Sequence, residues 1–144
     1  MPFQLPDPAT PFGARVARRL QEEHIIWLTT VDNSGTPQPN PVWFLWDQPA
    51  STMLIYSLPN AKRIQHLRQN PHVALNFDEN GRGGDVIVFT GTVSISQSDP
   101  PADRVPAYVE KYRELITSIN HTPQSFAAQY SVPLRVRPTL VRGH

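Results

Sequence analysis

Apolar positions recur with two different periods along this chain. Phe12, Val16 and Leu20 return every four residues, with Arg15, Arg18, Arg19, Glu22 and Glu23 between and after them. That spacing predicts an amphipathic helix capped by Thr10, with Pro11 in its first helical position. The stretch from His24 to Val31 is β-branched and apolar on both sides, the pattern of a buried strand. A turn at Asp32-Asn33-Ser34-Gly35 leads into a second strand from Thr36 to Asp47, centred on Pro41 to Trp46. A third strand is predicted from Met53 to Leu58, then a short helix from Ala61 to Asn70 with Ile64 and Leu67 facing inward. Val73, Leu75 and Phe77 alternate with polar or small residues, a half-buried strand. Its partner begins after the turn at Asn80 to Gly84, with Ile87, Phe89, Gly91, Val93 and Ile95 on one face.

The longest helix is predicted after Pro100-Pro101, with Val105, Val109, Tyr112, Ile116 and Ile119 as its apolar stripe and Asp103 as its cap. Thr122-Pro123 opens a short helix through Tyr130. In the last strand, Val132 to Arg142, Leu134, Val136 and Leu140 alternate with Arg135, Arg137 and Thr139. Such alternation places Arg135 and Arg137 on one face and Arg142 on the other. Six strands with helices in their connections, and no alternation of strand with helix, predict a mainly β (α+β) fold, an antiparallel barrel.

Composition narrows the class. The 144 residues suit one domain, 1–144, whose first eleven residues, four of them proline, form an extended arm. Sixteen prolines, roughly twice the usual share, exclude a fold of long helices. Thirteen basic against twelve acidic side chains give a formal charge of +1, which argues against a nucleic-acid partner, as does the lack of aromatics interleaved with basic residues. Zero cysteines exclude thiolate metal sites and cysteine nucleophiles, and the five histidines are too dispersed to suggest a metal. The glycines at 81, 83 and 84 lie between two strands and do not open a helix, so they suit a hairpin turn better than a phosphate cradle. No stretch approaches the roughly 20 apolar residues of a membrane span. The N-terminus lacks the basic and apolar run of a signal peptide, and the expectation is a soluble, cytoplasmic protein.

Two stretches carry candidate chemistry. In Tyr56-Ser57-Leu58-Pro59-Asn60-Ala61-Lys62-Arg63 a strand ends in a hydroxyl, turns, and starts a helix with two adjacent cations. Helix-start amides, two cations and a hydroxyl make a phosphate site; a solvated basic pair is the alternative. Cations at a helix start oppose the dipole, so the fold gains nothing from them there unless an anion compensates. In Gln38 to Trp46, prolines at 37, 39 and 41 remove donors along one edge, leaving a strand open to a flat ligand or a second subunit. The alternative is that Trp43, Phe44 and Trp46 are simply core.

These pieces, with Leu28 to Asp32, Gly35-x-Pro37, Asn70 to Leu75 and Val88 to Gly91, resemble the pyridoxamine 5′-phosphate oxidase-like flavin and deazaflavin proteins in order and spacing over residues 12–97. The segment Pro133 to Thr139 resembles the subgroup assigned to coenzyme F-420. The resemblance implies a six-stranded antiparallel split β-barrel, a homodimer with FMN or coenzyme F-420 at its interface, and hydride transfer to or from a small organic substrate. It implies that Ser57, Lys62 and Arg63, with Tyr56 beside them, hold the phosphate, and that Gln38, Asn40, Pro41, Val42 and Trp43 lie against the ring. No catalytic side chain or metal ligand is implied. The extended C-terminal substrate segment of true pyridoxamine phosphate oxidases is not seen, which argues against vitamin B6 synthesis. Arg135, Arg137 and Arg142 are candidates for a polyglutamate tail or, equally, for a solvated edge that deters pairing. A non-catalytic flavin, deazaflavin or tetrapyrrole binding protein is the alternative function. The homodimer is also expected because Trp43 or Trp46 is difficult to bury within one small barrel.

Overall fold

Thr10 takes the Gly13 amide on its hydroxyl and starts α1 (Pro11–Glu22) with proline in its first turn. The computed structural model describes residues 3–144, so the first two residues of the expected arm lie outside the described residues. Phe3 to Asp7 has neither helix nor strand. After α1 come β1 (Ile25–Val31), β2 (Pro37–Trp43), β3 (Leu45–Asp47), β4 (Thr52–Ser57), α2 (Lys62–Gln69), β5 (His72–Asn76) and β6 (Ile87–Ile95). A short 3-10 turn then leads to α3 (Pro106–Ser118), α4 (Pro123–Gln129) and β7 (Val132–Gly143).

The strands form one antiparallel sheet of seven, in the order β2-β1-β5-β6-β7-β4-β3. Its edges, β2 and β3, are separated in the chain by Phe44 alone. Laid flat, six inter-strand steps of about 4.8 Å would hold those edges roughly 29 Å apart, and the two steps from Trp43 to Leu45 span only about 7 Å. The sheet therefore curls into a split barrel.

Seven strands replace the six expected because the strand predicted over 36–47 is broken at Phe44. Its amide donates to the Tyr112 hydroxyl (2.8 Å), and its carbonyl accepts from Lys111 Nζ (2.7 Å), with the Tyr112 hydroxyl 2.8 Å away. Side chains of α3 have taken the backbone groups that a continuous strand would spend on its neighbours. The prolines at 37, 39 and 41 share one edge of β2, and β2 is hydrogen-bonded on one side only.

The barrel core gathers Val16, Leu20, Ile26, Leu28, Phe44, Met53, Ile55, Leu75, Phe89 and Leu134. A second, aromatic core of Tyr56, Tyr108, Tyr112, Ile116 and Phe126 lies beneath α3 and α4. Strand β4 is buried at every position and serves both. Three expectations change here. Strand β1 buries only Ile26, Leu28 and Thr30, so one of its faces is half-open. Helix α3 is capped by Val105, not Asp103; of the predicted stripe it buries Tyr112 and Ile116, with Tyr108 joining them, while Ile119 is 42% exposed. The larger Tyr108 ring, packed on Tyr56 at 5.0 Å, takes the inward place expected for Val109. Trp46, at 6% exposure, is buried within the single chain. Among the described residues no helix is long and apolar enough to cross a membrane.

Candidate functional site

The loop after β4 delivers the chain to α2, whose cap, Ala61, offers no side chain to the amides of the first turn. That turn carries no acidic residue, only Lys62 and Arg63. Lys62 is exposed and Arg63 half-buried. Among the described residues the Arg63 guanidinium has one polar partner, the Ser57 hydroxyl at 3.4 Å, and no carboxylate. Burial pulls its pKa down, opposed by the nearby Tyr130, yet an arginine stays charged. A guanidinium with five donors and one long contact is an anion site in waiting.

Arg63 stands where two cavities meet. One, of about 490 Å³, is polar: Gln38 and Asn40 from β2 face Lys62, Arg63 and His66 across it. The His66 ring is held through Nδ1 by the Thr30 hydroxyl (2.9 Å). Asp32 also borders this cavity, but its charge is already engaged by the Ser34 hydroxyl and by the amides of Ser34 and Thr36. Gln38 Nε2 donates to its other oxygen (3.0 Å). These bonds hold its pKa down at about 2, the Ser34 hydroxyl contributing most, so it remains anionic. Two cations against this one bonded carboxylate leave the cavity electropositive.

The other cavity, about 360 Å³, is aromatic. Pro41, Val42 and Trp43 of β2 face Tyr56, Tyr108, Phe126 and Tyr130. Trp43 stacks with Tyr112 (4.8 Å, 3°) and Phe126 (5.2 Å, 12°), and Phe126 with Tyr130 (4.5 Å, 17°). The Tyr56 hydroxyl donates to the Pro100 carbonyl (2.6 Å), and burial, helped by Asp99, raises its pKa to about 12.

The structure thus brings together Gln38, Asn40, Lys62 and Arg63 around the first cavity, and Pro41, Val42, Trp43, Tyr56 and Arg63 around the second. Ser57 is fully buried, donates to the Leu58 carbonyl, and reaches either cavity only through Arg63. Sequence reasoning missed Asp32, His66, Tyr108, Phe126 and Tyr130 as site residues. No spacing in the chain links residues 108–130 to 41–63; Tyr108, off the predicted stripe of the long helix, and Tyr130, at the end of a short one, were aromatics with no core place assigned.

The sequence profile of the family described as pyridoxamine 5′-phosphate oxidase matches residues 12–144. Among curated proteins none matches this chain. Solved structures share the fold. A conserved hypothetical protein of Mycobacterium tuberculosis superposes with a TM-score of 0.69 at 16% identity, over 90% of this chain and 81% of that one. An F-420 reductase gives 0.61 at 23% identity, over 87% and 94% of the two chains. The heme storage protein HutZ of Vibrio cholerae gives 0.61 at 14%, over 93% and 95%. At these identities the likeness is one of fold.

Proposed function

The chain belongs to the pyridoxamine 5′-phosphate oxidase family, and from that premise we propose that it is an oxidoreductase using a phosphate-bearing flavin or deazaflavin, FMN or coenzyme F-420, on a small organic substrate. The observation that carries this is Arg63, half-buried beside Lys62 at a helix start and without a carboxylate partner among the described residues. When bound, such a cofactor supplies the hydride chemistry, so the chain's residues need only hold, orient and shield it. Lys62, Arg63 and the first amides of α2 hold the phosphate, with Ser57 steadying Arg63. Gln38 and Asn40 offer polar groups to the ring edge, and Pro41 to Trp43 a flat apolar ledge. Of the three arginines considered for a polyglutamate tail, Arg135 is already spent on Asp47 (2.7 Å) and Asp99 (2.6 Å). Arg137 and Arg142 are exposed and remain for that role.

The working unit of this proposal is a homodimer with the cofactor at its interface. Trp27, Thr29, Ala74, Val88 and Thr90 share the outer face of the sheet through the register of β1, β5 and β6, and none belongs to either core. A second copy would cover that face. Trp46, already buried, adds nothing to the case.

Titration with FMN and with F-420 tests the reading. Two charge-assisted phosphate bonds contribute on the order of 1.5–3 kcal/mol each, so the double variant Lys62→Ala/Arg63→Ala should bind at least about a hundredfold more weakly. Its melting temperature should stay close to wild type, because one 3.4 Å contact is all the fold loses. Unchanged affinity for both cofactors would remove the phosphate site. Binding without turnover, as in a store or carrier, takes support from the heme storage protein among the structural relatives. Oxidation of bound reduced cofactor by candidate acceptors, faster than that of free cofactor, separates enzyme from store.

A further inference from the structure

His66 stands one turn after Lys62 on α2 and lines the polar cavity with Lys62 and Arg63. Residues four apart share a helix face, so Lys62 and His66 look the same way. One side of the ring is fixed. Its Nδ1 lies 2.9 Å from the hydroxyl of Thr30, a residue only 1% exposed whose hydroxyl has no other partner among the described residues. With the ring hydrogen on Nδ1, that nitrogen would donate to Thr30 Oγ1 and leave the buried hydroxyl proton without an acceptor. The reverse arrangement satisfies both groups: Thr30 donates, Nδ1 accepts, and the neutral ring keeps its hydrogen on Nε2. Among the described residues the His66 side chain makes no second hydrogen bond and no ion pair, so Nε2–H is unpaired. Asp32, the carboxylate bordering the same cavity, is engaged by Ser34, Thr36 and Gln38 instead.

We propose that His66 is a third side-chain donor to the cofactor phosphate: its Nε2–H, aimed by Thr30, donates to a phosphate oxygen that Lys62 and Arg63 attract by charge. This role rests on the reading that the start of α2 takes the phosphate. Lys62 is exposed, and an ammonium on a flexible four-carbon stem draws an anion without fixing its orientation. An imidazole pinned through Nδ1 gives its one remaining donor a set direction. A phosphate held in one orientation fixes where the attached chain leaves it, and so where the ring lies along Pro41 to Trp43. Hydrogen bonds to an ionised acceptor are also the stronger kind, so a neutral donor is well used there. Thr30 touches no ligand in this arrangement and acts through His66, as a positioning residue.

The test sets each cofactor against its phosphate-free counterpart, FMN against riboflavin and F-420 against the deazariboflavin it contains, titrated into the whole chain. In His66→Asn the amide oxygen takes the place of Nδ1 for Thr30, and only the distal donor is lost. The affinity ratio of the phosphate-bearing to the phosphate-free ligand should fall about tenfold, the loss of one hydrogen bond to a charged acceptor. Affinity for the phosphate-free ligand and the melting temperature should stay as in wild type. His66→Gln, whose amide nitrogen reaches the place of Nε2, should recover most of the ratio. Long-range proton–nitrogen NMR spectra of the ligand-free wild type should show His66 as the Nε2–H tautomer, and Thr30→Val should move population to Nδ1–H. Inorganic phosphate should shift the His66 Nε2 resonance in wild type and leave it in place in Lys62→Ala/Arg63→Ala. An unchanged ratio in His66→Asn, an Nδ1–H tautomer in wild type, or an Nε2 resonance indifferent to phosphate would overturn the proposal, with the phosphate site of Lys62 and Arg63 intact. Should His66→Asn fail to fold, the wild-type spectra decide alone. If wild type bound neither phosphate-bearing cofactor better than its counterpart, the phosphate site itself would fall and the role of His66 with it.

Discussion

The Tyr112 hydroxyl holds three backbone groups at once: it accepts from the Phe44 amide and lies 2.7 and 2.8 Å from the His24 and Phe44 carbonyls. Tyr112→Phe leaves that buried amide unpaired, and a loss of about 1–3 kcal/mol is expected in urea denaturation. A loss near zero would mean that the corner relaxes to satisfy itself. The neighbouring Tyr108 hydroxyl is buried without a partner among the described residues, and Tyr108→Phe is expected to lose nothing, so two chemically identical changes one helical turn apart should differ in sign or size. Lys111 adds a pH dependence. Its ammonium lies 3.9 Å above the Phe44 ring and donates to the Phe44 carbonyl, and burial lowers its pKa from 10.5 to about 8 against the opposing pull of Glu23. Between those two values the unfolded chain binds more protons than the folded one, so this group's contribution to stability rises with pH through that window. Below pH 8 the buried charge is a constant cost. The stability of wild type relative to Lys111→Met should therefore improve between pH 7 and 9.5; a flat difference would show the amine to be fully solvated. None of this is legible in the sequence, where Lys111 is one exposed-looking position in a helix with an apolar stripe.

Strand β7 shows what local pattern can and cannot say about an element. Its existence is plain in the alternation of residues 134 to 137, which pairs with β6 and β4 as the burial of Leu134 and Val136 requires. The same alternation, extended to the end, mispairs the last residues. Gly91 pairs with Pro138 and Thr90 with Leu140, so Thr139 is an extra residue and the pleat changes phase there. Leu140 then turns outward, 56% exposed, and Arg142 joins the face that carries Arg135 and Arg137, contrary to the simple alternation. The bulge depends on Gly91, since a Cβ there would run into the Arg137 carbonyl and lie 2.9 Å from Pro138 Cα. Gly91→Ala should cost on the order of 1–3 kcal/mol, as overpacking against backbone does, read as a lower midpoint in chemical denaturation. If Gly91→Ala were neutral, the bulge would be free to slide. A period-two pattern has no term for such a slip, because the inserted residue is polar and indistinguishable from any outward position.

At the scale of the whole molecule, the outer face of β1, β5 and β6 is where a second copy would sit. Thr90→Arg places a charge at its centre, opposite Leu140. Light scattering should then return a species near 16.2 kDa with far-UV circular dichroism unchanged, where wild type returns twice that mass. A wild-type monomer at micromolar concentration would exclude the dimer, and a dimeric variant would exclude this face. By itself the sequence determined the kinds and order of the elements, because caps, prolines and hydrophobic periods act over a few residues. It also carried the Lys62-Arg63 pair, conspicuous because cations at a helix start oppose its dipole. Tertiary structure alone decided that the strand centred on Pro41 to Trp46 breaks at Phe44, since the groups that break it come from Lys111 and Tyr112, more than sixty residues away. It alone brought Tyr108 and Phe126 to the cavity that Trp43 lines, with Phe126 stacked on Trp43. Burial energy is indifferent to which apolar partner a ring meets; the curl of the sheet and the close packing of α3 on it choose the partner, and with it the site.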